Sequence, residues 1–138
     1  MIKKISSTET HQLRKNVLGE NNPDYQFIYN GDDDQTTFHL GYFDGEILSG
    51  ILTVMQTDET TFQFRGMAVL QSQHGKNVGK KLLDFASELV KPNAKTIWLN
   101  ARKWVIPFYE KNGFTGEDDF FNIDGIGLHL KMSKLNTF

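Results

Sequence analysis

Apolar positions in the first half of the chain follow two different spacings. From Leu13 to Leu18 they recur at helical intervals, which predicts a helix over residues 8–18. Alternating apolar and polar residues further on predict strands. The Asp44-Gly45 pair favours a tight hairpin turn, so consecutive strands here should form an antiparallel meander. The predicted strands are 2–5, at a sheet edge, and then 37–43, 46–56 and 60–70.

The second half alternates helix and strand patterns. A helix is predicted from residue 78 up to Pro92, and the apolar run 96–99 predicts a strand that is covered on both faces. A helix over 104–111 and a hairpin of strands 114–123 and 127–132 follow. The apolar face assigned to the first of these helices comprises Leu82, Phe85, Ala86 and Leu89. The order of elements predicts an α/β fold with a mixed, mostly antiparallel central sheet and flanking helices.

A polar segment at residues 30–35 separates the first helix from the meander. It carries three consecutive aspartates, Asp32 to Asp34, whose mutual repulsion disfavours regular structure. A calcium loop would need a glutamate at its twelfth position, and that position, counted from Asp32, is Phe43. We therefore predict an exposed connection.

Composition limits the function classes. The 138 residues suit one domain, 1–138, and a net charge of −2 argues against electrostatic capture of nucleic acid or of an anionic membrane. Cysteine is absent, and none of the four histidines pairs with another at i, i+4, so no metal site is predicted. No apolar run approaches the roughly 20 residues that span a bilayer. These features predict a soluble, cytoplasmic protein.

The segment His74-Gly75-Lys76-Asn77-Val78-Gly79 joins a predicted strand to an amphipathic helix. Unpaired N–H groups at a helix N-terminus suit phosphate oxygens, and glycines let such a ligand approach the backbone, although they also serve as simple caps. Lys76, Lys80 and Lys81 add positive charge nearby. The spacing of the glycines fits neither a P-loop nor a dinucleotide-binding fingerprint.

This turn resembles the R/Q-x-x-G-x-G/A motif of the GNAT superfamily of N-acetyltransferases. The segment from Ala101 to Phe114 is similar to a second motif of that family, A-x(5)-F-Y-x-x-x-G-F, and the tail around His129 resembles its ElaA-like branch. The likeness covers about residues 38–132. In this sequence Asn77 replaces a motif glycine and His74 replaces the usual arginine or glutamine.

The resemblance implies that acetyl-coenzyme A lies between two splayed strands, the last of the meander and the next one. Backbone groups of one strand would bind the pantetheine arm, amides of the turn would hold the pyrophosphate, and Asn100 would contact the arm or cap a loop. The implied cofactor-binding residues are Met67, Ala68, Val69, His74, Gly75, Lys76, Asn77, Val78, Gly79, Lys80 and Asn100.

The resemblance also implies catalytic roles. Tyr109 is placed to protonate the departing thiolate, although it could instead be an aromatic packed beside Phe108 and Phe114. Many members carry a carboxylate base at the position of Gln63, and an amide cannot accept a proton. His129, with an ordinary pKa near 6.5, is then the candidate base, unless a water serves or the amine arrives neutral.

Two functions remain open from the sequence. The first is an N-acetyltransferase that transfers an acetyl group from acetyl-coenzyme A to a primary amine of a small molecule or protein. The second is a non-catalytic coenzyme A-binding module of the same fold. The acceptor amine is unidentified, and a homodimer formed through sheet edges is compatible with the sequence. His11 and His39 are expected to be surface or packing residues, and Trp98 and Trp104 are expected to fill the core or a helix face rather than bind a nucleobase.

Overall fold

A computed structural model of the chain describes residues 1–136, so the last two residues of the predicted domain lie outside the described part. The strands are β1 (Ile2–Ile5), β2 (Phe38–Asp44), β3 (Ile47–Asp58), β4 (Thr61–Val69), β5 (Thr96–Arg102), β6 (Thr115–Ile123) and β7 (Gly127–Leu135). The helices are α1 (Ser7–Leu13), α2 (Val78–Val90) and α3 (Ile106–Lys111). A π-helical turn, Arg14–Leu18, extends α1, and short 3₁₀ turns at Gln71–Gln73 and Lys103–Val105 precede α2 and α3.

The seven strands form one mixed sheet in the order β1-β2-β3-β4-β5-β7-β6. All pairs are antiparallel except β4 with β5. The predicted fold class, meander, edge strand and final hairpin are therefore confirmed. The main core lies between the sheet and α2, and a smaller cluster around Leu13, Ile51 and Ala68 packs under α1 on the other face.

The buried face of α2 includes Leu82 and Ala86, as predicted, but it differs from the prediction at the other two positions. Phe85 and Leu89, assigned to the apolar face, are 38% and 42% exposed. The sheet instead covers the stripe formed by Val78, Leu82, Leu83, Ala86 and Val90. The cause is a close approach at Gly50 of β3, where a Cβ atom would lie 2.9 Å from Val78 Cγ1 and 3.2 Å from Leu82 Cδ1. Contact at this point rotates the Val78–Leu82 row toward the sheet.

Strand β5 is buried on one face only, which corrects the prediction of a strand covered on both faces. Ile97, Leu99 and Ala101 are buried, whereas Trp98 is half-buried and Asn100 is exposed. The reason is that a cleft opens over the second face. Ile97 and Leu99 thus face the core, whereas Trp98 lies on the other face and donates through Nε1 to Thr57 Oγ1, at 3.2 Å.

Strand β4 carries an irregularity that changes which residues face the core. Its register against β3 shifts between the Ile51↔Ala68 and Thr53↔Arg65 pairs, and Gly66 there has a φ of 60°. A Cβ atom at Gly66 would lie 2.8 Å from Tyr29 Cε2, so both the backbone and the packing favour glycine. Before the bulge, even-numbered residues pack toward α2; after it, Ala68 packs toward α1.

The predicted exposed connection at 30–35 contains a buried ion pair, so that prediction was wrong for Asp32. The Arg14 guanidinium is fully buried and donates to both Asp32 carboxylate oxygens, at 2.7 and 2.9 Å. It also donates to Thr53 Oγ1, at 2.7 Å, and His39 bridges Thr53 Oγ1 and the Asp32 carbonyl oxygen. A buried guanidinium needs a counterion, and Asp32 supplies it, while Asp33 and Asp34 remain exposed.

Burial raises the pKa of Asp32, but hydrogen bonds from Arg14 and from the Tyr29 N–H lower it by more than burial raises it. The pKa of Asp32 therefore lies below its ordinary value. An aspartate with a lowered pKa in the folded state stabilises the fold fully above about pH 4, its unfolded pKa. That contribution is lost as the pH falls through the lower, folded-state pKa.

We expect Asp32→Ala to lower the free energy of unfolding by about 3–5 kcal/mol, because the buried Arg14 charge loses its partner. The matched control is Asp34→Ala, which removes an exposed carboxylate of the same segment and should cost less than about 0.5 kcal/mol. Urea denaturation at pH 7 measures both, and the gap between wild type and Asp32→Ala should narrow below pH 4. Equal losses in the two variants would contradict the assignment.

Candidate functional site

A deep cleft opens where β4 and β5 separate. The two strands pair only at Thr61↔Thr96, Phe62↔Ile97 and Gln63↔Trp98, and beyond Gln63 they diverge. The resulting cleft has a volume of about 810 Å³. It is lined by β4 from residue 63 to 69, by β5 from residue 99 to 102, by the segment after α1 and by the β6–β7 turn. The expected splaying of these strands is therefore present.

The backbone of β4 offers a free edge along this cleft. Leu70 N–H donates to Ser49 O, at 2.9 Å, so alternation along the β3–β4 pair directs the Val69 backbone groups away from β3. The Val69 carbonyl oxygen accepts a hydrogen bond from His74 Nε2, at 3.2 Å, so the Val69 N–H is the group that this edge leaves free. Ala68 is buried, and its backbone groups are used in pairing with Ile51 of β3. It therefore contributes only surface to the cleft, whereas Val69 contributes a hydrogen-bonding group.

The turn that leads into α2 presents unpaired amides. Asn77 occupies the helix N-cap in the left-handed conformation, with a φ of 60°, and Gly75 has a φ of 85°. The first α2-closing bond that the structure records runs from Lys81 N–H to Asn77 O, and no side chain caps the helix. The N–H groups of Val78, Gly79 and Lys80, in the first turn, have no earlier helical carbonyl to bind. They face a second groove of about 350 Å³ that adjoins the cleft.

The two glycines of this turn have different surroundings. A Cβ atom at Gly75 would meet nothing within 4 Å, which leaves its backbone open to a ligand. At Gly79 it would lie 3.1 Å from Phe108 Cζ and 3.6 Å from the Met67 sulfur. Gly79 was expected to allow close approach of a ligand, but it also allows α2 to lie close to Phe108 of α3. A larger residue at this position would therefore disturb the packing of the two helices.

Tyr109 lies between the cleft and the groove, and it lines both. Its ring makes edge contacts with Phe108 and Phe114, at centroid distances of 5.1 and 5.7 Å. Burial raises the pKa of the Tyr109 hydroxyl above its ordinary value, so the group keeps its proton at neutral pH. The packing and chemical interpretations of this residue are therefore compatible, because the ring packs against two aromatic side chains and the residue lines both cavities.

His129 is 5% exposed and lines the cleft on β7, paired in register with Arg102 of β5. Its Nδ1 lies 2.8 Å from the Gly127 carbonyl oxygen, which can only accept, so Nδ1 carries the proton and Nε2 keeps a lone pair in the neutral ring. Burial lowers the pKa of His129; the bond to Gly127 opposes this, and the Arg102 charge adds to it. His129 is thus neutral at pH 7.

The remaining predicted residues lie along the same path. Gln63 and Asn100 line the cleft, and His74 lines both cavities. Lys80 lines the groove and pairs with Asp84, at 2.7 Å, whereas the exposed Lys76 is not among the groove-lining residues. Apart from Lys76, the predicted cofactor-binding residues therefore lie on one continuous surface. Both predicted catalytic residues lie on the same surface.

One wall of the cleft was not predicted from the sequence. The segment after α1 brings Tyr25 and Tyr29 over the sheet, with their hydroxyl oxygens 2.7 Å apart. Trp104, expected to pack, is 66% exposed at the cleft, because the 3₁₀ turn before α3 turns it outward. The signal available was the concentration of tyrosine in the otherwise polar segment 19–37.

Across residues 1–136, no cluster of three or more histidine, aspartate or glutamate side chains has the arrangement of a metal site. Within the same residues, no helix has the length and apolar character to cross a membrane.

The mixed sheet with two diverging strands defines an acyl-coenzyme A N-acyltransferase fold, and comparisons identify the family. The acetyltransferase (GNAT) domain family matches residues 34–116. The uncharacterized N-acetyltransferase YitI of Bacillus subtilis is 31% identical over 140 residues, covering 96% of this chain and 94% of the relative. The chain belongs to the GNAT acetyltransferase family and is an acyltransferase.

Solved structures agree on the fold. Escherichia coli ElaA superposes with a TM-score of 0.83 at 21% identity, covering 97% of this chain and 98% of that one. An aminoglycoside 6'-N-acetyltransferase complexed with coenzyme A superposes with a TM-score of 0.76 at 14% identity, covering 100% and 98%. The predicted family and fold are confirmed.

Proposed function

We propose that residues 1–138 act as a single N-acetyltransferase domain that transfers an acetyl group from acetyl-coenzyme A to a primary amine by direct attack. The observation that carries the proposal is the continuity of two features. The unpaired edge of β4 leads directly to the unpaired amides at the start of α2. A long, narrow ligand with an anionic end fits that path, and the aminoglycoside acetyltransferase of the same fold is complexed with coenzyme A.

The chain's residues fit this ligand in a definite order. The Val69 backbone, flanked by Met67 and Ala68, would pair with the amide-bearing arm as an added strand does. The amides of Val78, Gly79 and Lys80, at the positive end of α2, would bind the phosphates, with Gly75 and Asn77 shaping the turn around them. Asn100 would reach the arm from β5. The bound thioester supplies the activated acyl group.

Tyr109 is the proposed general acid. Its raised pKa keeps a proton on the hydroxyl oxygen at neutral pH, and the residue lines both the cleft and the groove, where a departing thiolate would emerge. Because its ring is fixed between Phe108 and Phe114, the hydroxyl position is defined before any ligand binds.

His129 is the proposed general base. The hydrogen bond from Nδ1 to Gly127 leaves the Nε2 lone pair as the basic site. The lowered pKa keeps the ring neutral, and therefore able to accept a proton, down to more acidic pH than an ordinary histidine. Gln63 lies in the same cleft and can position an amine by hydrogen bonding without taking its proton.

The phosphate-binding turn is tested by reversing one charge. Lys80→Glu should weaken coenzyme A binding at least tenfold, or about 1.4 kcal/mol, because Lys80 lines the groove. Lys81→Glu changes the net charge equally, but the Lys81 ammonium lies over the Tyr42 ring, 5.7 Å from its centroid. Calorimetric titration should therefore give near wild-type affinity for Lys81→Glu. Equal effects in the two variants would remove the turn from the binding site.

The acid is tested with Tyr109→Phe, which removes the proton and keeps the packed ring. We expect kcat to fall by about 10²–10⁴-fold with the coenzyme A dissociation constant little changed. Thiol release measures the rate and calorimetry the affinity. Turnover at the wild-type rate would leave Tyr109 with a packing role only.

The base is tested through the pH profile. In the wild type, kcat/KM should rise with pH through an apparent pKa below 6.5, since burial lowers the pKa of His129. His129→Gln should flatten that limb and reduce the rate at neutral pH. If the limb persists unchanged in the variant, the ionisation belongs to another group or to the amine, and His129 is not the base.

A further inference from the structure

Two of the three arginines in the chain lack an acidic partner. Arg14 is paired with Asp32, but neither Arg65 nor Arg102 takes part in any salt bridge recorded for residues 1–136. The recorded hydrogen bonds of Arg65 consist of one weak contact with the Met55 sulfur, at 3.9 Å, and those of Arg102 of one bond to Leu18 O, at 2.9 Å. Both side chains are half-buried and line the cleft.

The two guanidinium groups stand at opposite ends of an aromatic wall. Arg65 Cζ lies 4.4 Å from the centroid of the Tyr29 ring, and the Tyr29 hydroxyl contacts that of Tyr25. Arg102 Cζ lies 5.8 Å from the centroid of the Tyr25 ring. The rings stabilise both cations without occupying their N–H groups. We call these four residues the arginine–tyrosine wall.

The wall lies away from the proposed phosphate-binding turn. Arg65 precedes Val69 by four residues, and because of the bulge their partners on β3, Thr53 and Gly50, are three residues or roughly 10 Å apart at about 3.3 Å per residue. Its side chain projects from the face opposite α2, because its neighbours Phe62 and Phe64 pack in the core under that helix. Arg102 of β5 is the cross-strand partner of His129 of β7. The wall therefore belongs to the acceptor half of the cleft.

Half-buried guanidinium groups with free N–H donors favour a planar anion that can accept two parallel hydrogen bonds. A polyanion is disfavoured, because Glu20, Asp24 and Asp124 line the same cleft, all with exposed side chains. Those carboxylates lie in water and are screened, whereas the arginines act on a group that has left water. A single carboxylate satisfies both conditions.

We infer that the acceptor is an amino-carboxylate, a primary amine whose carboxylate is bound by a guanidinium group of the arginine–tyrosine wall. This inference rests on the proposed acetyl transfer and names its substrate class. Binding of the carboxylate by the wall would orient the amine toward the edge of β4, and it would select against amines that lack the anion.

The experiment compares ω-amino acids of increasing chain length with their C-terminal amides. Thiol release gives kcat/KM for each pair at equal concentrations of unprotonated amine, and calorimetry gives affinities for enzyme saturated with coenzyme A. Wild type should prefer the acid of at least one chain length by tenfold or more. At least one of the variants Arg65→Gln and Arg102→Gln should reduce that preference about tenfold, mainly through KM, with the amides and acetyl-coenzyme A little affected.

Two controls separate charge from geometry. Lys131→Gln removes a cation of a neighbouring strand whose ammonium lies over the Trp98 ring, so it changes net charge without touching the wall, and it should keep the preference. Arg65→Lys retains charge but loses the planar fork, and it should recover only part of the preference.

The outcomes distinguish this inference from the proposed function. Turnover of acids and amides at equal rates, or a preference unchanged in both arginine variants, overturns the inference and leaves acetyl transfer intact. Carboxylate-dependent binding without thiol release supports the acceptor class and contradicts the transferase. Absence of both binding and release across the series overturns the inference whichever way the enzyme acts on other amines.

Discussion

The separation of β4 from β5 is the constraint on which the rest of this molecule depends. Parallel neighbours that pair over three residues and then diverge leave a strand edge unpaired in the middle of a sheet, where backbone groups are otherwise satisfied. The bulge at Gly66 lies in the diverging part of β4. Its extra residue changes which side chains face each side of the sheet. The cleft between the two strands follows from this divergence, and the unpaired amides at the start of α2 adjoin it.

The divergence is stabilised from the α1 side by the buried Arg14–Asp32 pair. Arg14 joins the segment after α1 to Thr53 of β3, and its guanidinium stacks on Tyr29, 3.7 Å from the ring centroid. Tyr29 in turn packs against Gly66, where a side chain would collide with it. One buried charge pair thus connects the arginine–tyrosine wall to the bulge. The geometry of the cleft is therefore coupled to the stability of the fold.

Local patterns predicted the elements and the family well, and they failed where tertiary contacts decide. The Gly75–Gly79 turn and the Tyr109 segment could be identified because their spacing is local. The burial of Asp32 could not, since it depends on Arg14, 18 residues away along the chain. The rotation of α2 likewise depends on Gly50 of a distant strand, and the outward turn of Trp104 on the 3₁₀ turn before α3. The arginine–tyrosine wall combines three separate segments, so no single stretch announces it.

Burial favours the neutral form of three residues that line the cleft. It raises the pKa values of Tyr29 and Tyr109 and lowers that of His129. The same desolvation acts on any amine that enters, and Arg65 and Arg102 add positive charge that disfavours an ammonium ion. An acceptor would therefore lose its proton more readily in the cleft than in water. This environment reduces what a base must do, which explains how a chain with Gln63 in place of a carboxylate can retain a site suited to acyl transfer.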